Sequence, residues 1–450
     1  MIPGLLLAAP ASGSGKTTLT LALLRALKDR GIAVSSVKAG PDYIDPAFHH
    51  AAGGRPCLNL DGWAMRPETL AAALAQAGEG AELILGEGVM GLFDGAPVAG
   101  GLAGLAAGST AELAALTGWP VFLVIDCKGM GASVAALARG FAGFHEAVEV
   151  AGVILNNVAS PRHEALLRAA CEAAGLRVFG AVARNAALAR PSRHLGLVQA
   201  GEDVALDDFL LAAAGIIAAQ VDLDALRRVA RPARLSGATT SPPAPPLPPL
   251  GQRIAVARDI AFAFTYPLLL EGWRRAGAEL VPFSPLADEA PDAAADAVYL
   301  PGGYPELHAG HLAGSPCFLA GLRGAARRGA VIYGECGGYM VLGQGLEDAE
   351  GLRHAMAGLL PLESSFKSPQ RHLGYRRGVT RAAGPLGPAG TAYRGHEFHY
   401  ACVLGAEGPS ETALFDAAPA TASAGPSLAV GQRNGGVFGS FLHLVDREAC

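Results

Sequence analysis

The sequence has no run of about 18 uninterrupted apolar residues, the length a helix needs to cross a bilayer, and no basic run interleaved with aromatics. The first absence argues against a membrane-spanning chain even though 51% of the residues are hydrophobic, because alanine and glycine supply much of that excess. The second, with a formal net charge of −5, leaves no electrostatic footprint for nucleic acid. Charged residues are scarce at 17%, and the seven cysteines (57, 127, 171, 317, 336, 402 and 450) are an odd number without a C-x-x-C pair. That pattern argues against both a disulfide framework and structural zinc. Reduced thiols are expected, one of them available as a nucleophile, and the partners should be small molecules. The apolar start from Ile2 to Pro10 has no basic n-region, so it reads as a first β-strand rather than a signal peptide. A cytoplasmic protein is the expectation.

At 450 residues the chain should hold roughly two to three domains. The clearest boundary is RPARLSGATTSPPAPPLPPLGQ, from Arg231 to Gln252, proline-rich and without apolar periodicity, which predicts an extended spacer. The expected domains are therefore residues 1–230 and 252–450, joined by 231–251. Upstream, apolar runs at 5–9, 33–37, 82–85, 121–125 and 152–155 alternate with helical patterns. Over 17–30, Leu19, Leu23, Ala26 and Leu27 share one helical face. Downstream the alternation restarts, with strands expected at 254–257, 279–283, 297–300 and 330–333. The fold class this predicts is α/β: a phosphate-loop domain on a parallel sheet, then a second α/β domain.

APASGSGKTT, residues 9–18, lies between a strand and a helix, the setting a phosphate loop requires. Gly13, Ser14 and Gly15 would turn backbone N–H groups toward a polyphosphate. Lys16 would reach its terminal oxygens, the Thr17 hydroxyl would ligate Mg²⁺, and Thr18 completes the first helical turn. Pro10 stands where the usual pattern has its first glycine. Without an N-K-x-D guanine signature, ATP is the expected nucleotide. GPDYID at 40–45 and GEGVMGLFDG at 86–95 follow the next strands, so Asp42, Glu87 and Asp94 are expected at an open sheet edge, where acidic oxygens could hold Mg²⁺. Each of these taken alone is as readily a cap or turn residue.

VIYGECGGYMVL, residues 331–342, reads as strand, tight turn and helix with Cys336 at the turn, a nucleophile elbow whose helix N-terminus should favour the thiolate. Glycines 334, 337 and 338 would permit the turn. GGVFGSFLH ends a strand at His443, a suitable base for Cys336. LPGGYPE supplies Gly302 and Gly303, whose N–H groups with that of Gly337 could form an oxyanion hole. The other six cysteines are expected to be inert.

With these stretches in hand, the chain resembles the cobyrinic or hydrogenobyrinic acid a,c-diamide synthases, related to cobyric acid synthase and, through the first domain, to dethiobiotin synthetase. APASGSGKTT, VKAGPDYIDP, GEGVMGLFDG, LPGGYPE, YGECGGYM, GHEFHY and GSFLH carry the resemblance, in order, across almost the whole chain. It implies a C–N-forming ligase of cobalamin biosynthesis with a class I glutamine amidotransferase domain, acting on a corrinoid acid with glutamine and ATP. It further implies Cys336 as nucleophile, His443 as its activator, and Thr17, Asp42 and Glu87 around the metal. Tyr43, Ile44 and Asp94 would meet the substrate, although the family carries Leu where this chain has Ile44. Class I amidotransferases usually place a Glu two residues after the catalytic His, and here that position is Val445. A Cys–His dyad is therefore expected, with Glu397 and Asp446 as alternatives for a third member, and His396 and His399 in structural or substrate-contact roles. Oligomeric state is left open, a homodimer being one arrangement among those open.

Two other readings are weighed. A partition-type P-loop ATPase with a degenerate second domain is disfavoured by the intact elbow and by Ala11, where that group carries a signature lysine. Cobyric acid synthase, or an amidase of another tetrapyrrole, keeps the chemistry and changes only the substrate.

Overall fold

A computed structural model describes residues 2–97, 101–188, 199–202, 204–235, 244–404, 410–420 and 426–448. The chain forms two compact units, Met1–Trp63 with Leu70–Pro242, and Ala64–Thr69 with Pro243–Cys450. No helix among the described residues is long and apolar enough to cross a membrane.

The first unit is built on strands β1 (Pro3–Ala8), β2 (Val34–Ala39), β3 (Leu58–Leu60), β4 (Leu83–Glu87), β5 (Val121–Asp126), β6 (Val150–Val158) and β7 (Val178–Ala183), all parallel in the order β3-β2-β4-β1-β5-β6-β7. Its central strands are buried almost end to end, because helices cover both faces of such a sheet and both sides of each strand must be apolar. The helix Lys16–Asp29 buries Leu19, Leu23, Ala26 and Leu27, the stripe legible in the sequence. Strands β3 and β7 were not expected; β3 is only three residues long.

The register decides what meets at the carboxyl ends. Glu87, the last residue of β4, lies opposite Leu7 of β1 and Lys38 of β2. Three loops therefore emerge side by side: the phosphate loop after β1, the Gly40–Ile44 segment after β2, and the Gly88–Gly95 segment after β4.

The proline-rich stretch is not a free spacer along its described length. Arg231–Pro232 forms β8, antiparallel to β1. At the other end Leu247 is fully buried and its carbonyl accepts a hydrogen bond from Trp273 Nε1 at 3.2 Å. Residues 236–243, and Cys450, lie outside the described residues.

The second unit has β9 (Arg253–Ala257), β10 (Glu279–Phe283), β11 (Ala297–Leu300) and β12 (Val331–Glu335), close to where the sequence puts them. Between β12 and the last strands comes an insertion that the sequence reading did not foresee. It holds β13 (Gly345–Glu347), β14 (Arg353–Ala355), β15 (Glu363–Ser365), β16 (His372–Thr380), β17 (Ala392–His399), β18 (Cys402–Val403), β19 (Phe415–Pro419), β20 (Leu428–Val430) and β21 (Gln432–Asn434). The chain then returns as β22 (Val437–Ser440) and β23 (Leu442–Arg447). The main sheet runs β10-β9-β11-β12-β22-β21, parallel except for β21. A five-stranded antiparallel sheet, β20-β19-β16-β17-β23, stands beside it. GGVFGSFLH is thus not one strand ending at His443: it breaks at Phe441, and His443 is the second residue of β23 in a different sheet.

Candidate active sites

In the first unit the phosphate loop closes as a left-handed turn. Gly13 and Gly15 take φ of +80° and +93°, and a Cβ on Gly15 would sit 2.3 Å from Asn156 Nδ2, so only glycine fits. Asn156 Nδ2 donates to Ser14 O at 3.0 Å and the Ser14 hydroxyl donates to Ala11 O at 2.9 Å, which fixes the loop from both sides. Lys16 Nζ reaches across to Met90 O at 2.6 Å. Burial lowers the Lys16 pKa, with Glu87 opposing it.

Behind the loop is a dense ionic cluster. The Thr17 hydroxyl donates to Glu87 Oε1 at 2.5 Å, Lys38 Nζ lies 3.0 Å from that oxygen and 2.7 Å from Asp45 Oδ2, and His49 Nε2 is 2.7 Å from Glu87 Oε2. The Cys57 thiol is 3.4 Å from His49 Nδ1. Burial opposes every charge here, yet the network outweighs it for three of them. Glu87 stays well below the usual carboxylate range through Lys38 and His49. Lys38 is pushed up by Glu87, Asp45 and Asp42, and His49 rises to about 10 through Cys57 and Glu87. Asp45 is the exception: burial and Asp42 raise it to about 7.

The expected site residues separate accordingly. Glu87 is fully buried and not, as expected, at an open edge. Asp42 uses Oδ1 to accept the N–H groups of Ile44 and Asp45, at 2.8 and 3.0 Å, which makes it the turn residue leading into helix Asp45–Gly53. Its other oxygen remains 4.0 Å from Lys38 Nζ. Asp94 Oδ2 accepts from Gly91 N at 2.9 Å, closing the turn after Met90. Ile44 packs against the hydrophobic core, and Tyr43 is half-buried beside it in the sequence. Lys38, Asp45 and His49 escaped the sequence reading. Their signal was a lysine inside the apolar strand VSSVKA, a position that demands counter-charges from elsewhere. Thr17, Glu87 and Asp45 supply converging hard oxygen donors, the set Mg²⁺ prefers.

In the second unit Cys336 follows β12 and caps the helix Gly337–Leu342 with φ +47° and ψ −105°, a strained conformation for a residue with a Cβ. The strain resides in the cysteine itself. The neighbouring glycines serve close approach: a Cβ on Gly338 would lie 2.0 Å from Leu300 O, and one on Gly337 would lie 2.8 Å from Pro305 Cδ and 3.1 Å from Gly303 N. Gly303 N is thus adjacent to the elbow. A Cβ on Gly302 would meet His443 Cε1 at 2.6 Å and Cys336 Cβ at 3.5 Å, which puts thiol, imidazole and glycine loop around one point. The Cys336 thiol is 3.8 Å from Phe398 O, and Cys336 N donates to Ser440 O at 2.8 Å.

The surroundings of Cys336 do not favour the thiolate expected at the elbow. Burial, then the Glu306 charge, pushes the Cys336 thiol well up, against the Gly337 N–H. The helix that follows spans only Gly337–Leu342, so its dipole is short. Burial also drives His443 well below its ordinary value, with His396 and His399 adding to the effect, so the imidazole is held neutral. The His396 ring stacks on it at 4.9 Å.

Neither alternative for a third member contacts His443. Glu397 is held by Arg376 Nε at 2.9 Å and by His399 Nε2 at 3.0 Å. Asp446 accepts from Arg66 N at 2.9 Å and from its guanidinium. His372, Glu397 and His399 bring three metal-type donor atoms within 4.8 Å, but the Arg376 guanidinium already occupies the carboxylate, so the group reads as an ion-pair network.

Comparison with known proteins matches the same two parts. Residues 5–198 fit the CobQ/CobB/MinD/ParA nucleotide-binding domain, and residues 253–449 fit the CobB/CobQ-like glutamine amidotransferase domain. The chain is 54% identical over 454 residues to a hydrogenobyrinate a,c-diamide synthase of Sinorhizobium sp, covering 98% of both chains. Proteins of the same name from Rhodobacter capsulatus and Brucella ovis are 55% and 54% identical, again over 98% of both chains. With that identity running the length of both partners, and a nucleotide-binding and an amidotransferase domain in the order of the two sites just described, this chain belongs to the hydrogenobyrinate a,c-diamide synthase family.

Proposed function

We propose that the chain amidates the a and c carboxylates of hydrogenobyrinic or cobyrinic acid, using glutamine as nitrogen donor and ATP as the source of activation. The observation that carries this is the full-length likeness to three a,c-diamide synthases, combined with one site suited to phosphate and another to a thiol nucleophile.

In the second unit Cys336 Sγ attacks the glutamine amide carbon while His443 takes the thiol proton. The N–H groups of Gly302, Gly303 and Gly337 stabilise the oxyanion, and His443 returns the proton to departing ammonia. Water then cleaves the thioester to glutamate. In the first unit a substrate carboxylate attacks the γ-phosphorus of ATP, ADP leaves, and ammonia displaces phosphate from the acyl phosphate. Gly13, Ser14, Gly15, Lys16 and Thr18 hold the phosphates. Thr17, Glu87, Asp42 and the neighbouring Asp45 are the residues that would hold Mg²⁺, which when bound neutralises charge on the phosphoryl oxygens. Tyr43, Ile44 and Asp94 face the corrinoid in this reading. Two cycles yield the diamide.

The test is incubation of the purified protein with ATP, Mg²⁺ and glutamine against hydrogenobyrinic acid, cobyrinic acid, their a,c-diamides and sirohydrochlorin, counting amides by mass spectrometry. Two amides on a hydrogenobyrinic or cobyrinic acid are expected. Amidation only of a diamide would assign the cobyric acid reaction instead, and amidation only of sirohydrochlorin would assign another tetrapyrrole.

A further inference from the structure

Glu335, immediately before the nucleophile, was not singled out in the sequence, and its surroundings are unusual. It is 1% exposed at the carboxyl end of an otherwise apolar strand. On β12, Tyr333 and Glu335 are two residues apart and share a face, while Tyr299 of β11 pairs directly with Tyr333. Both phenols therefore turn toward the carboxylate: Tyr333 donates to Oε1 at 2.8 Å and Tyr299 donates to Oε2 at 2.9 Å. From β23, Leu444 N donates to Oε1 at 3.3 Å. The remaining approach to Oε2 is taken by His443 Nδ1, 3.9 Å away. With His443 neutral, the two become an ion pair only once the imidazole is protonated.

Three hydrogen bonds hold the carboxylate in place without neutralising it, and phenols do not carry a positive charge. A buried carboxylate so arranged is costly unless a cation forms nearby at some stage. In glutamine hydrolysis one does, when His443 takes the thiol proton.

We infer that Glu335 is a positioning residue for the glutamine-hydrolysing pair: its carboxylate faces His443 Nδ1, leaves Nε2 for the Cys336 thiol, and offsets the charge of the imidazolium formed during attack. It would take over the role of the Glu that class I amidotransferases carry two residues after the histidine, where this sequence has Val445, from a different place in the chain. The required charge arrives from beneath the imidazole through the strand that also carries the nucleophile. The proton balance is simple: one proton moves from Sγ to Nε2 and later to the leaving nitrogen, while Glu335 exchanges none.

The groups facing this carboxylate are Tyr299, Tyr333 and His443, with Cys336 next to it in the chain, and His396 and His399 act on His443 from the far side. Burial raises the Glu335 pKa to about 7 against the pull of the two phenols. Glutamine hydrolysis should therefore fall on the acid side of about pH 7, as Glu335 becomes protonated and the charge facing His443 is lost.

The inference rests on the reading of Cys336 and His443 given above, and the test separates the two. In Glu335→Gln, glutamine hydrolysis should drop by roughly a hundredfold or more and lose its acid limb, while amidation driven by ammonium chloride continues at the parent rate. Tyr299→Phe, which removes one hydroxyl from the carboxylate, should shift the limb to higher pH. A Glu335→Gln protein with the parent rate and pH profile overturns the inference, and so does a limb unmoved by Tyr299→Phe. If Glu335→Gln does not fold, the Tyr299→Phe profile decides. A Cys336→Ser control that still hydrolyses glutamine overturns the underlying reading instead.

Discussion

Replacing Glu87 by glutamine should cost stability as well as activity. The side chain is fully buried, with Thr17 and Lys38 on one oxygen, at 2.5 and 3.0 Å, and His49 on the other at 2.7 Å. Glutamine keeps the volume, so no cavity forms, and the loss is electrostatic. Removing one partner of a buried ion pair costs about 3–5 kcal/mol. Two features place this case near the lower figure: Asp45 remains 2.7 Å from Lys38, and His49, raised to about 10 partly by Glu87, can release its proton. About 3 kcal/mol in a unit of this size corresponds to a fall of roughly 6–12 °C in Tm. Scanning calorimetry, with ammonium-driven amidation on the same preparation, is the assay. The first unit's transition should move down, amidation should disappear with either nitrogen donor, and glutamine hydrolysis should persist. A variant melting within about 2 °C of the parent and still amidating would refute the claim that Glu87 anchors this cluster.

Lys16→Ala should abolish amidation from glutamine and from ammonium alike, since Lys16 is proposed as the phosphate-loop cation; near-normal synthesis from ammonium would mean that ATP binds elsewhere. Cys336→Ser should lose glutamine-dependent synthesis and retain the ammonium-driven reaction, checked by amide counting with each donor; loss of both in a folded protein would contradict two separable half-reactions. His396 is buried against the Tyr266 hydroxyl at 3.0 Å, and burial lowers its pKa to about 3. Its contribution to stability is therefore present above the unfolded value of about 6.5 and lost as pH falls toward 3. His396→Gln should flatten the acid side of the second unit's urea-denaturation profile between those values, by a few kcal/mol at about pH 4; an unchanged slope would show that this ring does not drive the loss.

The sequence disclosed the parts that local rules govern. The phosphate loop, the elbow and the parallel strands each depend on glycine placement or apolar runs, and all three emerged close to where they were read. Glu87 and Glu335 were harder, for a common reason. A carboxylate at the end of an apolar strand looks like an edge residue until its counter-groups are known, and those come from other elements: Lys38 of β2 and His49 of the helix Asp45–Gly53 in one case, Tyr299 of β11 and His443 of β23 in the other. Asp42 shows the converse, since its turn role is local and had been weighed from the start. The antiparallel insertion was missed because strands such as HLGYRRGVT are mostly half-buried and carry no apolar alternation.

The burial that raises the Cys336 thiol and keeps His443 neutral has a bearing on survival in an oxidising cell. Peroxides and electrophiles attack thiolates, and a thiol 3% exposed with its proton retained offers them little. In the mechanism proposed above, a bound amide supplies the carbon for attack and an oxygen for the glycine N–H groups, so proton transfer to His443 would await substrate. On that reading the idle thiol is shielded from sulfenic acid formation and glutamine is the trigger that arms it.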